Sequence, residues 1–241
     1  NYVKLTLRKV YFTYKYFVFL GKIFIKRRIK ILFMVSKSKI VSILILIIIF
    51  TMSAYFYSSM PEKMATHWDA KGNVNGYMPA FSGIFTTPFI GVFLLIMFFI
   101  LPKMDPTKQD TTKYFDLFSI VLMIFLFCIN LFVILYNLGI QINISNVIMP
   151  LIGLLFFFIG YIIRDIKKNW FIGIRTPWTL SSNKVWKKTH RLASLVFRSL
   201  GLFVIVATIL KVDFLLIMIL LIGSAFIPVV YSYIEFKKEK H

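Results

Sequence analysis

Apolar residues in this chain come in long unbroken runs, not at the three-to-four-residue spacing of a soluble amphipathic helix. No charged residue falls between Ile40 and Pro61, and the stretch VSILILIIIF within it is almost wholly aliphatic. A bilayer core about 30 Å thick takes roughly 20 apolar residues in a helix, so this run predicts a first membrane span. Gly72 to Pro102 is also uncharged, and its apolar part, Ile84 to Leu101, predicts a second. The uncharged run from Leu117 to Ile163 is too long for one crossing. The polar cluster QINISN, Gln141 to Asn146, divides it into a third span, Leu117 to Ile140, and a fourth, Val147 to Ile163. Leu192 to Leu210 predicts a fifth and Phe214 to Ile234 a sixth, with Lys211, Val212 and Asp213 as a tight turn between them. Continuous rather than alternating apolar character excludes a transmembrane β-barrel. The expected fold class is all-α: a polytopic membrane bundle of about six helices.

Charge then orients the bundle. Lys and Arg number 29 against 9 Asp and Glu, a net charge of +20. A nucleic-acid partner is the weaker reading of that excess, because the basic residues sit between apolar runs, where anionic headgroups are the nearer counter-ion. The segment before the first span is heavily basic. The second-to-third connector holds Lys103, Lys108 and Lys113. The fourth-to-fifth holds Arg164, Lys167, Lys168, Arg175, Lys184, Lys187, Lys188 and Arg191, and the tail holds Lys237, Lys238 and Lys240. The alternate connectors carry only Lys63, Lys71 and Lys211. Basic short loops stay on the cytoplasmic side, so both termini are expected in the cytoplasm and the loop 58–82 outside. Residues 1–33 contain no run long enough to span. They are expected to lie upstream of a natural start at Met34, the alternative being a basic-aromatic arm on the inner leaflet. Residues 34–114 then form a first region with two spans, and 115–241 a second with four spans and the inner loop 164–191.

Few residues suggest chemistry. No HExxH, GxSxG or Gly-rich phosphate loop occurs, and Cys128 is the single cysteine. His67 and His190 are expected on opposite sides of the membrane, so no metal, no cofactor and no enzyme activity is expected. The spans hold no acid near the midplane, which argues against an ion-coupled carrier. Asn130 and Asn137, seven apart on one helix face, are expected to bond between helices. Arg198 is expected to snorkel to the surface or to pair inside the bundle.

Two connectors are informative. The outer one, MPEKMATHWDAKGNVNGY, has Gly72, Asn75 and Gly76 as turn formers. It could form a lobe presenting His67, Trp68 and Tyr77, or a turn anchored at the interface by Trp68 and Tyr77. The inner one, NWFIGIRTPWTLSSNKVWKKTHR, holds three of the four tryptophans. Gly173 permits a sharp bend, Pro177 pushes Thr176 to extended geometry, and Ser181 or Ser182 can cap a helix running into the fifth span. On that helix Trp186, His190, Ala193 and Phe197 form a packing strip. Beside it, Lys187, Arg191, Ser194 and Arg198 form a strip suited to headgroups or an acidic partner. A positive-inside aromatic belt explains the composition of this loop, but not the order N-W-F-I-G-I-R-T-P-W.

These two connectors closely resemble the SdpI immunity-protein family. Its signature runs as an Asn, a G-x-R-T-P-W/x-T core, a Trp and a T-H-R end. Asn169, Gly173, Arg175, Thr176, Pro177, Trp178, Thr179, Ser182, Trp186, Thr189, His190 and Arg191 fall on it. Pro61, Thr66, His67, Trp68, Gly72, Gly76 and Tyr77 match the extracytoplasmic domain of unknown function that commonly precedes it. The resemblance implies a multi-pass cell-membrane protein that gives immunity to a secreted peptide toxin and recruits a cytoplasmic repressor. It implies an outer binding surface at His67, Trp68, Gly72, Gly76 and Tyr77. The inner one would comprise Asn169, Gly173, Arg175, Thr176, Pro177, Trp178, Trp186, His190 and Arg191. The alternative function is export of a small hydrophobic compound.

Overall fold

The computed structural model describes residues 36–107, 111–140 and 142–240. The segment 1–33, Lys108, Gln141 and His241 therefore lie outside the described residues. The chain divides into two compact units at Ile40. The described part of the first opens a helix, where Lys39 N–H donates to Ser36 Oγ at 3.2 Å. The second unit, from Val41, holds the hairpin, the loops and the remaining helices.

Among the described residues, six helices are long and apolar enough to cross a membrane. They are α1 (Lys37–Phe56), α2 (Ala80–Met104), α3 (Thr112–Asn137), α4 (Ile144–Ile163), α6 (Asn183–Ile209) and α7 (Phe214–Lys240), with the short α5 (Pro177–Ser181) before α6. The protein is a multi-pass membrane protein, as the apolar runs require. Large apolar side chains stay exposed around these helices, for example Leu44, Ile48, Phe93, Leu195, Leu216 and Phe226. Helices that are apolar all round suit a lipid solvent. The helices run past the expected apolar spans at several ends, furthest at α6, which begins at Asn183 behind the Ser182 cap, and at α7, which continues to Lys240. The α6–α7 turn closes as expected. Lys211 takes φ 55°, its N–H donates to Thr208 O, and Val212 N–H donates to Ala207 O. Asp213 Oδ1 then caps α7 by accepting from Leu215 N–H at 2.9 Å.

The outer connector is more ordered than a polar loop. It forms an antiparallel hairpin of β1 (Lys63–Trp68) and β2 (Val74–Pro79), with register irregularities around His67. Asn137, expected to bond between helices, instead bonds this hairpin. Ala65 N–H donates to Asn137 Oδ1 at 2.7 Å, and Asn137 Nδ2 donates back to Ala65 O at 3.0 Å. The amide thus takes the place of a third strand. Asn130 does bond between helices: its Oδ1 accepts from Ser53 Oγ at 3.3 Å, and its Nδ2 donates to Ile84 O at 3.4 Å.

The closest helix pair is α4 with α6, which cross where both lack side chains. A Cβ on Gly201 would strike Gly153 O and lie 2.7 Å from Phe157 N, both backbone atoms that cannot move aside. A Cβ on Gly160 would lie 2.9 Å from Ser194 O. Without a hydrophobic force between helices in lipid, such close backbone approach supplies the packing. Arg198 lies over this contact, 5.8 Å from the Phe157 ring centroid, and finds no acid among the described residues. Its contact inside the bundle is thus with an aromatic ring rather than an acid.

Gly201→Leu should lower the thermal stability of the detergent-purified protein by about 1–3 kcal/mol or more, the usual cost of overpacking. Gly223→Leu is the matched control, because nothing lies within 4 Å of the Cβ it would gain. Thermal unfolding that moves equally for both would contradict the assigned crossing.

Candidate functional site

The hairpin positions the first group of candidate residues. Asp69 organises the turn: Oδ1 accepts from Lys71 N–H at 2.8 Å and from Asn73 N–H at 2.9 Å, and Oδ2 accepts from Asn73 Nδ2 at 3.2 Å. Gly72 completes the turn at φ 87°. Gly76 sits opposite His67, where an added Cβ would lie 2.8 Å from His67 Cβ. The imidazole is exposed and bonds Asn75 Oδ1 through Nδ1. Trp68 turns inward, edge-on to Phe132 and Tyr136 of α3 at 5.3 and 5.1 Å. Tyr77 faces outward and is exposed. The hairpin therefore holds Trp68 against α3 and leaves His67 and Tyr77 exposed.

At the opposite end of the helices, residues 164–182 fold on an internal hydrogen-bond frame. Asn169 is fully buried. Its Oδ1 accepts from Phe171 and Ile172 N–H at 2.8 and 2.7 Å, and its Nδ2 donates to Lys167 O and Ile172 O at 2.9 Å each. Gly173 bends at φ 116° directly against the His190 ring, and that conformation and that contact both require glycine. His190, also fully buried, bonds Trp186 O through Nδ1 at 2.8 Å and accepts from Ile174 N–H through Nε2 at 3.0 Å. A carbonyl on one ring nitrogen and an N–H on the other fix a neutral imidazole with its proton on Nδ1. Its ring stacks on Trp186, centroids 4.0 Å apart, as their four-residue spacing on α6 predicts.

Thr176 and Thr179 cap α5 reciprocally, an arrangement the T-P-W-T spacing encodes but composition does not flag. Thr176 Oγ1 reaches Ser232 Oγ of α7 at 3.1 Å. Trp178 leans on Tyr233 of α7 at 4.9 Å, and Ser182 caps α6, accepting from Val185 N–H at 3.2 Å. Two ties were not readable from sequence. Asp105 Oδ2, beyond the end of α2, accepts from Trp170 N–H at 3.3 Å. Tyr114 of α3 donates to Asp165 O at 2.8 Å. On α7, the buried Glu235 binds Lys188 and Lys238.

The inner candidates thus divide in two. Asn169, Gly173, Thr176, Trp186 and His190 hold the loop together. Arg175, Pro177 and Arg191 are exposed, and Trp178 is half-buried. Arg175 donates through Nη1 to Trp170 O, which fixes the stem of an otherwise accessible side chain. Ser194, expected on the headgroup strip, is buried against α4. Among the described residues no group of His, Cys, Asp and Glu could hold a metal ion.

Comparison with known proteins bears on both regions. Residues 165–232 match the SdpI/YfhL protein family, and residues 44–92 match a domain of unknown function (DUF1648). The chain is 30% identical over 209 residues to "Immunity protein SdpI" of Bacillus subtilis (strain 168), covering 84% of this chain and 97% of that relative. No solved structure matches.

Two outcomes follow from the geometry. The hydrogen bond from Asn73 N–H is the main reason the Asp69 carboxyl is held below the usual carboxylate range. Desolvation opposes it, and the Asn73 side chain and the Lys71 and Gly72 N–H groups add to it. A depressed folded-state pKa contributes stability above the unfolded value of about 3.9 and loses it as pH falls through the folded one. The protection of the Lys71 and Asn73 amides, measured as exchange relative to the intrinsic rate at each pH, should be constant above about pH 5 and fall below about pH 4. In the second region, His190→Ala strands the Ile174 N–H, a buried-donor cost of about 1–3 kcal/mol. Trypsin should then cut faster at Arg175 with the hairpin untouched, and an unchanged cleavage rate would contradict the framing role.

Proposed function

The chain belongs to the SdpI family, and from that premise we propose that it is an integral membrane immunity protein acting against a secreted peptide toxin. The observation that carries the reading is likeness over 97% of the length of an immunity protein. The two matched segments contain the hairpin and the inner loop. In this reading the termini face the cytoplasm, which the concentration of Lys and Arg in alternate connectors supports. The first two spans with their hairpin form the outward-sensing region, and the remaining four spans form the region that carries the inner loop.

The hairpin face with His67 and Tyr77 meets the peptide, and the loop with Arg175 and Arg191 meets an acidic surface on a repressor. Helix α3 supports the coupling, since it touches both regions. Its last residue, Asn137, bonds Ala65 in the hairpin, and Tyr114 near its start bonds Asp165 O in the loop. A peptide would shift the loop only through different affinity for two arrangements of that helix.

The test uses cells made sensitive by removal of their own SdpI-type immunity protein. Expression of this chain should restore survival on exposure to the peptide. His67→Ala with Tyr77→Ala should lose protection at unchanged membrane amounts. Arg175→Ala should lose protection or the repressor-dependent reporter response, again at unchanged amounts. Wild-type chain that leaves the cells as sensitive as before would overturn the reading.

A further inference from the structure

A cavity of about 540 Å³ opens beside the turn that follows α4, lined by Arg164, Asp165, Lys167, Lys168, Trp186 and Lys187 among others. Its wall is built rather than accidental. Ile166 is buried, and its carbonyl accepts from Trp186 Nε1 at 2.8 Å. The Asp165 carbonyl accepts from Tyr114, and Lys168 Nζ donates to Leu180 O at 3.1 Å. The side chains of Arg164, Lys167 and Lys187 make no hydrogen bond or ion pair among the described residues. None of them pairs with Asp165, the one carboxylate among the described lining residues. Three uncommitted cations therefore converge on one cavity where two spanning helices end, α4 at Ile163 and α6 at Asn183. Cations just past the apolar end of α4 are within reach of anionic headgroups.

A second feature points the same way. An apolar cavity of about 240 Å³ lies between α3 and α4, lined by Ile120, Ile124, Leu151, Leu154, Phe158 and neighbours. On α4, Leu151, Leu154, Phe158 and Tyr161 recur at helical spacing, and the helix ends at Ile163, directly before Arg164 and Asp165, which line the basic cavity. The helix that walls the apolar groove thus leads straight into the basic cavity. A headgroup phosphate above and an acyl chain below is the chemistry of a phospholipid.

We propose that this is a site for one anionic glycerophospholipid, with its phosphate among Arg164, Lys167 and Lys187 and an acyl chain along the α3–α4 groove. The inference is independent of the immunity reading, since it concerns a ligand drawn from the bilayer itself. Native mass spectrometry of the detergent-purified full chain tests it, with phosphatidylglycerol, phosphatidylcholine of the same acyl chains, and inorganic phosphate as probes. Phosphatidylglycerol should remain bound where phosphatidylcholine does not. Lys167→Ala with Lys187→Ala should weaken its binding about thirtyfold, from roughly one headgroup attraction lost per lysine. Lys103→Ala with Lys113→Ala removes equal charge from exposed positions at the same end of the helices and should leave it unchanged. Leu154→Trp, which fills the groove, should weaken phosphatidylglycerol without creating any preference for phosphatidylcholine. Equal binding of the two lipids would overturn the proposal. So would equal weakening by both lysine pairs. Displacement of the lipid by inorganic phosphate alone would assign the cavity to a soluble anion and overturn it as well.

Discussion

Hydrocarbon offers no hydrogen bonds, and that absence governs this structure. Every polar group carried into the spans must find its partner within the protein. Ser42 and Ser119 bond each other at 2.8 Å, and Asn130 is shared between Ser53 and Ile84 O. The same demand shapes the loop between α4 and α6, where Asn169, Thr176, Thr179 and His190 are buried and satisfy backbone groups of their own segment. Residues that look chemical on paper are thereby consumed by construction. The imidazole of His190 has both nitrogens committed, which leaves it no free atom with which to act as an acid, a base or a ligand.

Where polar atoms are spent inside, the side chains open to a partner are those that remain outside. At the hairpin this means His67 and Tyr77. At the loop it means Arg175 and Arg191, and the cations around the cavity beside α4. The separation follows depth. Buried framing residues lie beneath, and exposed charged or aromatic groups stand on them. Groups placed on such a frame lose less freedom on meeting a partner than groups on a slack loop.

The spans were legible because an apolar run needs no tertiary knowledge to interpret. The Trp186–His190 stack and the Ser182 cap were legible for a similar reason, since both follow from spacing along one helix. The hairpin was not. Its strands are six residues each, β2 carries turn formers at Asn75 and Gly76, and the burial of β1 does not alternate along its length. The partner of Asn137 could not be read either, because seven-residue spacing shows which face it shares with Asn130 but not that a strand edge lies across from it. The ties from Asp105 and Tyr114 to the loop join residues more than fifty positions apart, and no local pattern carries such information. The members of the loop motif come together in one folded segment. Their division into frame and surface required the fold.

The amide of Asn137 has one more effect. A two-stranded ribbon ordinarily offers an unpaired margin on each side, and either can recruit a further extended chain. Here the β1 margin is already occupied at Ala65 by a side chain from α3. Recruitment is thus confined to the β2 flank, up to Pro79, which has no N–H to give. The ribbon is therefore asymmetric in what it can accept, and any incoming segment would have to align along Val74–Met78, beside the exposed ring of Tyr77.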